Sequence, residues 1–503
     1  MSTTRAPAKI ANVRPKVRLS DAARTGGVRA TYDAAQTNTE NVNHWAPADN
    51  LSAAASASPA VRRVLRKRSR YEIANCPLAR SILRKLADYV VGTGPRLQVR
   101  TRDRDYNRAV EQAFNQWAIA VKFSRKLWQM RYAKAMNGES FGLFTTNLGL
   151  RTEVKLDLRT IEADQVSDPT YQAQSASDGI IYDDYANPMG YRVLKSHPGD
   201  AFTFTTMSSD FDTFRADDVL HFFDAERAGQ LRGVPELTSA LPLFAMRRRY
   251  ILAVIAAAET AANHAGVLET AGNTEDPEDL VPLDAIDIER NLMLTMPRGW
   301  KLSQLKAEQP TTTMQMFDGV IVREIARCVN MPYGIAASDS SGYNFASGKL
   351  DNMPWRTTVR IEQDALEDVA ARPTFERWYA EAIRIVGYLP PSPVADRMLP
   401  PHQWFWDGQD TPDPREAGAK MTGLSGGFET HAGIFARRGD DVIEQWEAQA
   451  ELLGITLDEY RQLVIANVFK TPTEVAAEAE SNDETSETDD EASDQLAEQE
   501  AAQ

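Results

Sequence analysis

Two cysteines, Cys76 and Cys328, are all that 503 residues contain, so a disulfide framework is excluded and a reducing cytoplasm is the expected setting. The six histidines, at 44, 197, 221, 264, 402 and 431, never approach one another or a cysteine at metal-ligand spacing. No metal site is expected from them. His221, inside the strand-like run Val219-Leu220-His221-Phe222-Phe223, reads as a satisfied core histidine. No apolar run reaches the length of a membrane span, and residues 1–20 lack the apolar core of a signal peptide. No period of 20–50 residues repeats, which argues against a solenoid. After Lys470 there is no lysine or arginine, only twelve acids. With almost no apolar side chain to bury, residues 473–503 are expected to be a disordered, solvating tail.

What is present is a chain large enough for several domains, 43% hydrophobic, with its charge unevenly placed. Setting the twelve tail acids apart from the net −15 leaves only −3 for residues 1–470, while residues 1–104 carry twenty bases against seven acids. Residues 1–59 read as an extended arm, with Tyr32, His44 and Trp45 as its few anchors. Ser58 and Pro59 start a helix that carries Arg62, Arg63, Arg66, Lys67, Arg68 and Arg70. Without interleaved aromatics this run reads as a solvated helical face rather than a nucleic-acid surface. Asn75 and Pro77 open a second helix, closed by Gly92, whose Leu78, Ile82, Leu86 and Val90 recur every four residues as core. Asp105 is expected to cap a third carrying Val110, Phe114 and Trp117, and 123–137 forms a fourth before Gly138. From 139 to 224 the period changes to two, as in Val154-Lys155-Leu156-Asp157-Leu158, so a mixed sheet follows helices. The fold class is therefore α+β, predominantly α.

The stretch 237–355 is the most informative. A helical pattern over 237–265 places Leu241, Phe244, Arg248, Ile251, Leu252 and Ile255 on one face, and its alanine-rich second half suits close packing against copies of itself. An insert, 266–313, follows: acidic residues 275–279, strand-like 291–296, a Pro297-Arg298-Gly299 turn and Thr311 to Thr313. Residues 267–313 hold nine acids and four bases. A second helix, 314–331, presents Phe317, Ile321, Ile325 and Cys328, and Pro332 ends it. Residues 339–348 then read as an irregular loop punctuated by Ser-Ser-Gly and Ser-Gly, before a last long helix from Met353 to Val386. That order describes a stalk better than an active site.

Catalytic motifs fail on physical grounds. Gly423-Leu424-Ser425-Gly426-Gly427 satisfies the G-x-S-x-G string, but the nucleophile elbow needs a preceding strand and 413–421 is helical in character. Gly342 and Gly348-Lys349 are one residue too far apart for a phosphate-cradling loop, with Leu350 where a hydroxyl is needed.

Several ordered pieces then resemble the lambda-type phage portal proteins. Asn75-Cys76-Pro77-Leu78-Ala79-Arg80 with Val90-Val91-Gly92-Thr93-Gly94 is similar to that family's N-x-P-x-A-R and V-V-G-T-G segment, and Ile161-Glu162-Ala163-Asp164-Gln165-Val166 to its I-x-A-D-x-V strand. The most specific piece is His221-Phe222 leading to Arg227-Ala228-Gly229-Gln230-Leu231-Arg232-Gly233-Val234-Pro235-Glu236-Leu237, close to R-x-G-Q-x-R-G-V-P-x-L. Asn344-Phe345-Ala346-Ser347 stands where N-Y-S-S is usual, and Gly423-Leu424-Ser425 with Gly439-Asp440-Asp441 resembles the helix-turn-helix after the family's Asp-Pro, here Asp413-Pro414. The resemblance spans about 32–453.

It implies a portal fold assembled as a ring, usually a dodecamer, around a central channel at a capsid vertex. Residues 60–236 would form the wing, 237–265 and 314–331 the stem helices, 266–313 the clip, 332–352 the channel loop, 353–388 a wing helix and 389–472 a helical crown. Ser340, Ser341, Tyr343, Asn344 and Lys349 would lie near the DNA path, and Glu275, Asp276 and Arg298 of the clip would meet the terminase. The implied partners are further copies of the chain, double-stranded DNA bound without sequence preference, the terminase large subunit, a head-tail connector protein and a major capsid or scaffold protein. No membrane, cofactor or chemistry of its own is implied, and the location is the virion's portal vertex, with the host cytoplasm during assembly. The alternatives are a serine hydrolase using Ser425 and a structural capsid protein without a DNA channel.

Overall fold

A computed structural model describes residues 43–169, 178–200, 210–263, 267–270, 300–303, 314–393, 398–408, 414–438 and 440–468. The chain forms two compact units, Met1–Ser52 and Ala53–Gln503. In the first, the described residues make a turn in which Ala48 N–H donates to the Trp45 carbonyl at 2.9 Å. The expected arm therefore stops short of residue 59: Ala53 and Ala57 are buried in the second unit.

Short helix α1 (Ala53–Ser56) leads into α2 (Pro59–Asn75), α3 (Pro77–Val91), strand β1 (Arg96–Val99), α4 (Arg104–Ala120) and α5 (Phe123–Asn137). Strands β2 (Glu139–Thr146), β3 (Leu156–Ile161), β4 (Ile180–Tyr182), β5 (Pro188–Leu194), β6 (Phe211–Arg215) and β7 (Val219–Phe223) follow. Then come α6 (Leu241–Asn263), β8 (Val267–Thr270), β9 (Trp300–Ser303), α7 (Met314–Arg327), α8 (Tyr333–Ala337), α9 (Phe345–Leu366), α10 (Arg372–Ala382), β10 (His402–Phe405), α11 (Pro414–Ser425), α12 (His431–Arg438), α13 (Val442–Leu453) and α14 (Leu457–Val468).

Helix α3 buries Ile82, Leu86 and Val90, and α4 buries Val110, Phe114 and Trp117, as their spacing predicts. The α4 cap is Asp103, whose carboxylate accepts from Tyr106 N–H, rather than Asp105, which sits in the first turn. Phe114 and Trp117 meet Phe123, Phe375, Trp378 and Trp404 in an aromatic core. Each ring removes a large apolar area from water, and the edge-to-face pairs add to that.

The sheets are antiparallel throughout the described residues rather than mixed, in the orders β3-β2-β7 and β4-β5-β6. Strand β2 is central and buried on both faces, and its period of two divides two cores. Phe144 joins Leu156, Leu158, Leu220 and Phe222 in the main core. Phe141 and Leu143 point the other way, into a smaller core with Ile161, Val166, Tyr191 and Val219.

Two boundaries move. The segment 389–472 is not wholly helical, because β10 pairs with β1 in the register Leu97↔Trp404 and carries Trp404 into the aromatic core. The last long helix begins at Phe345, well before Met353, because Asn344 and Ser347 close a reciprocal capping box that starts it. It continues through a π-helical turn, Glu367–Ala371, into α10.

Candidate functional site

The signature from Arg227 to Leu237 lies between β7 and α6; Arg227 is exposed, whereas Arg232 and Glu236 point inward. Arg232 is 1% exposed, and its guanidinium donates to both oxygens of Glu139, at 2.7 and 2.8 Å, and to the carbonyls of Asp178 and Val166. Glu139, fully buried at the start of β2, is also held by Arg66 and by Gly233 N–H at 3.2 Å. Arg62 closes the cluster on Asp178 at 2.7 Å. Burial pushes the Glu139 carboxyl up, but Arg232 and Arg66 outweigh it and hold it well below the usual carboxylate range. Burial, helped by Arg232, lowers the Arg62 guanidinium to about 10. His221 confirms its core reading: it stacks on Phe141 at 4.3 Å, burial lowers its pKa, and its neutral Nε2–H donates to Glu139 at 3.1 Å.

Arg62 and Arg66 therefore correct the solvated-face reading of the basic run. Helix α2 is turned inside out: Arg62 and Arg66 are buried while Val61 and Val64 are 41% and 44% exposed. The signal was the i, i+4, i+8 stripe of Arg62, Arg66 and Arg70, all three of which meet acids or carbonyls of the sheet region.

A second network begins one turn further on. Glu236 takes a bidentate pair from Arg131 at 2.9 and 3.1 Å, and Arg131 also reaches Glu362 at 3.1 Å. Lys134 joins Glu362 at 2.9 Å and Asp224 at 2.7 Å. Four separated pieces, α5, α9, the end of β7 and the entry to α6, are thereby fixed at one point. The acidic trio Asp224, Glu236 and Glu362 could ligate a cation by distance alone, but Lys134 already occupies that position.

The helix pair α6 and α7 grows from this junction. Arg248 ties α6 to α2 through Glu72, and Arg247 grips Asp318 of α7 at 2.7 and 2.9 Å, beside an edge-on Tyr250–Phe317 contact at 5.3 Å. Strands β8 and β9 pair antiparallel from Val267↔Ser303 to Thr270↔Trp300. Helix α7 stops at Arg327, ahead of Pro332, and buries Gly319, Val322, Ile325 and Ala326, so the face expected from Phe317, Ile321 and Cys328 is rotated. Phe317 is left 52% exposed, as are Leu252 and Ile255 of the expected α6 face at 60% and 48%. Arg247→Ala should shorten the life of the α6–α7 pair without unfolding the sheets and the aromatic core. The half-buried bidentate bond predicts a loss of about 1–2 kcal/mol, read as faster hydrogen exchange over 241–263 and 314–327.

The channel-loop candidates fall together. Ser340, Tyr343, Asn344 and Lys349 line one cleft of about 590 Å³ with Lys85 and Tyr89, while Ser341 is turned back onto Asp339 through Oγ at 2.7 Å. Lys85 holds the preceding turn through Ile335 O and Ser338 Oγ. Asn344 serves as the helix cap, accepting from Ser347 N–H at 2.8 Å. Lys349 is half-buried in the second turn of α9. The irregular stretch is thus shorter than 339–348. Glu275, Asp276 and Arg298, with the expected strand 291–296, the turn at Pro297 and Thr311 to Thr313, lie outside the described residues, as do 1–42 of the arm and 469–503 of the tail.

Ser425 ends helix α11 and its Oγ donates to the Thr422 carbonyl at 3.1 Å. A helix precedes it, not a strand, and the hydroxyl is spent on its own backbone, so the elbow geometry is absent there. No helix among the described residues is long and apolar enough to cross a membrane.

The family model for phage portal proteins of the lambda family matches residues 39–363. A probable portal protein of Halomonas phage phiHAP-1 is 25% identical over 436 residues, which cover 80% of this chain and 83% of that relative. Among solved structures, a chain from the neck of an empty GTA particle computed with C6 symmetry aligns at TM-score 0.42 and 13% identity, covering 77% of this chain and 92% of that one. A chain from the virion of a native gene transfer agent particle aligns at 0.41 and 12%, covering 78% and 93%. With residues 39–363, well over half of its length, matched by the family model, the chain belongs to the lambda family of phage portal proteins.

Proposed function

We propose that copies of this chain assemble into a dodecameric ring at a capsid vertex, and that double-stranded DNA enters and leaves the head through its axis. One observation carries the ring: both stem helices keep large apolar side chains in water. Met246, Leu252 and Ile255 of α6 and Met316, Phe317 and Val320 of α7 are each 48–73% exposed, an arrangement that calls for neighbours along the stem. Alanines 253, 256 and 257 between them are exposed too and allow close helix approach.

In such a ring the segment 332–352, with one lysine and two aspartates, would offer the duplex few cations. A wall dense in lysine and arginine would release many counterions and hold DNA against movement, whereas a sparse one lets it slide. Ser340, Tyr343, Asn344 and Lys349 are the side chains assigned to that path, and Glu275, Asp276 and Arg298 those assigned to the terminase large subunit and, later, the head-tail connector. Contact with major capsid or scaffold protein, residence in the virion and assembly in the host cytoplasm follow from the same reading.

Negative-stain microscopy of the purified protein tests it. End-on views should show rings with a hole of duplex width, about 20–25 Å, and Val320→Asp, which places a charge in the stem contact, should leave single subunits. Wild-type protein that stays monomeric at every salt concentration, or rings without a hole, would overturn the conduit.

A further inference from the structure

Helices α3 and α5 pack together and leave a charged stripe on the surface that neither the stem nor the buried networks use. On α5, Arg125 lies 4.2 Å over the Trp128 ring, and Trp128 stacks on Tyr132 at 5.0 Å with the planes 11° apart. The spacing 125, 128, 132 puts all three on one helical face. On α3, which packs against α5, Arg80 and Arg84 stand one turn apart and are both exposed. Burial raises the Tyr132 hydroxyl above its ordinary range, and the two arginines act against that shift. Asp88, one turn further along α3, is committed to the Trp128 indole N–H at 2.7 Å.

Arg80, Arg84 and Arg125 are exposed, and among the described residues none of the three has a carboxylate partner. On the neighbouring helices, Arg70 of α2 and Arg108 of α4 do have acidic partners. Three exposed guanidinium groups on two packed helices, one of them lying over an aromatic stack, make a surface suited to several carboxylates at once. A nucleobase fits less well, because the Trp128 ring is already engaged by both Arg125 and Tyr132.

We infer that this stripe is a docking surface for an acidic peptide, and that its occupant is the chain's own segment 474–500. That segment holds twelve acids and no lysine or arginine. The 33 residues after Lys470 can span on the order of 100 Å, enough to reach across a subunit or to its neighbour. Docked there, the segment shields the arginines from other polyanions.

Photo-cross-linking of the full-length protein with benzoylphenylalanine in place of Gln129 tests the inference. Gln129 shares the face of Arg125 and Tyr132 and is exposed. The cross-linked peptides should come from 471–503. They should disappear in the Arg80→Glu, Arg84→Glu, Arg125→Glu triple variant and at about 0.5 M salt, where the screening length falls to a few ångströms. As a second readout, a glutamate-specific protease should cut the tail of the triple variant about fivefold faster than that of wild type. Arg→Gln changes at the same sites should give the same direction with less perturbation. Cross-links confined to an ordered surface of a neighbouring subunit or to co-purified nucleic acid would overturn the inference, as would tail cleavage that is equal in both proteins.

Discussion

Glu139→Ala should be the most damaging single side-chain truncation in the sheet region, shifting the urea midpoint of the protein far below wild type or preventing soluble expression. The carboxylate is 0% exposed and balances Arg232 and Arg66 from within the protein. Removing it leaves two buried guanidinium groups in a low-dielectric site, a loss of about 3–5 kcal/mol, against a total stability of about 5–15 kcal/mol. Arg232→Met alone should cost nearly as much, because Glu139 then keeps Arg66 as its one guanidinium partner, with His221 and the Gly233 N–H beside it. The pair Glu139→Leu with Arg232→Met should cost less than the sum of the two, since Arg66 retains Asp164 at 3.1 Å and the Asn137 carbonyl at 3.2 Å. Additive losses would show that the cluster does not act as a unit.

The same cluster sets an acid limit. Glu139 is depressed in the fold, so its contribution is present above the unfolded carboxylate value, about pH 4.3, and is lost as pH falls toward the folded value. His221 is also lowered, because burial disfavours its charge. Below about pH 6.5 the unfolded chain gains a proton that the folded chain refuses. Burial lowers His402 and His431 as well, so stability should fall in two steps on acidification and His221→Gln should shrink the first without abolishing it.

Much of this architecture is written in local pattern. The four-residue period of Ile82, Leu86 and Val90, the Val110, Phe114 and Trp117 stripe, and the two stem helices around an acidic insert are all visible in the amino acids because each side chain's fate follows from its own polarity. The junction is not. Arg62 and Arg66 lie on one helix, and their partners Asp178 and Glu139 are 116 and 73 residues away. Buried and solvated arginines look identical until those partners are brought in. The Asn344 cap was hidden for a different reason: Ser-Ser-Gly and Ser-Gly suggest irregular chain, whereas Asn-x-x-Ser at 344 to 347 had the spacing of a reciprocal cap. The outward apolar face of α6 and α7 was legible as apolar but not as exposed, because periodicity gives a face and not what lies against it.

Gly233→Ala should destabilise the subunit by about 3 kcal/mol or more, well beyond what one methyl group normally costs. A Cβ at Gly233 would stand 1.9 Å from the Gly138 carbonyl oxygen and 2.5 Å from its carbonyl carbon. Those atoms belong to backbone, so no rotamer change relieves the clash. Gly138 is bound by the same contact from the other side: it ends α5 in the left-handed region at φ +89°, and its own Cβ would lie 2.3 Å from the Val234 carbonyl carbon. The two glycines let the chain entering the stem lie directly on the end of α5, which is what brings Arg232 to Glu139 and Glu236 to Arg131. Two other glycines grade the effect. Gly229 has φ +81° and an added methyl would meet nothing within 4 Å, so Gly229→Ala should cost only the left-handed strain, about 1 kcal/mol. Gly342 has neither a neighbour nor a positive φ, and Gly342→Ala should be neutral. Thermal unfolding of the three variants should rank them Gly342, Gly229, Gly233. A Gly233→Ala protein that melts with wild type would mean that the junction tolerates separation of α5 from the entry to α6, and that the ion-pair networks, not the backbone contact, hold α6 to the sheet region.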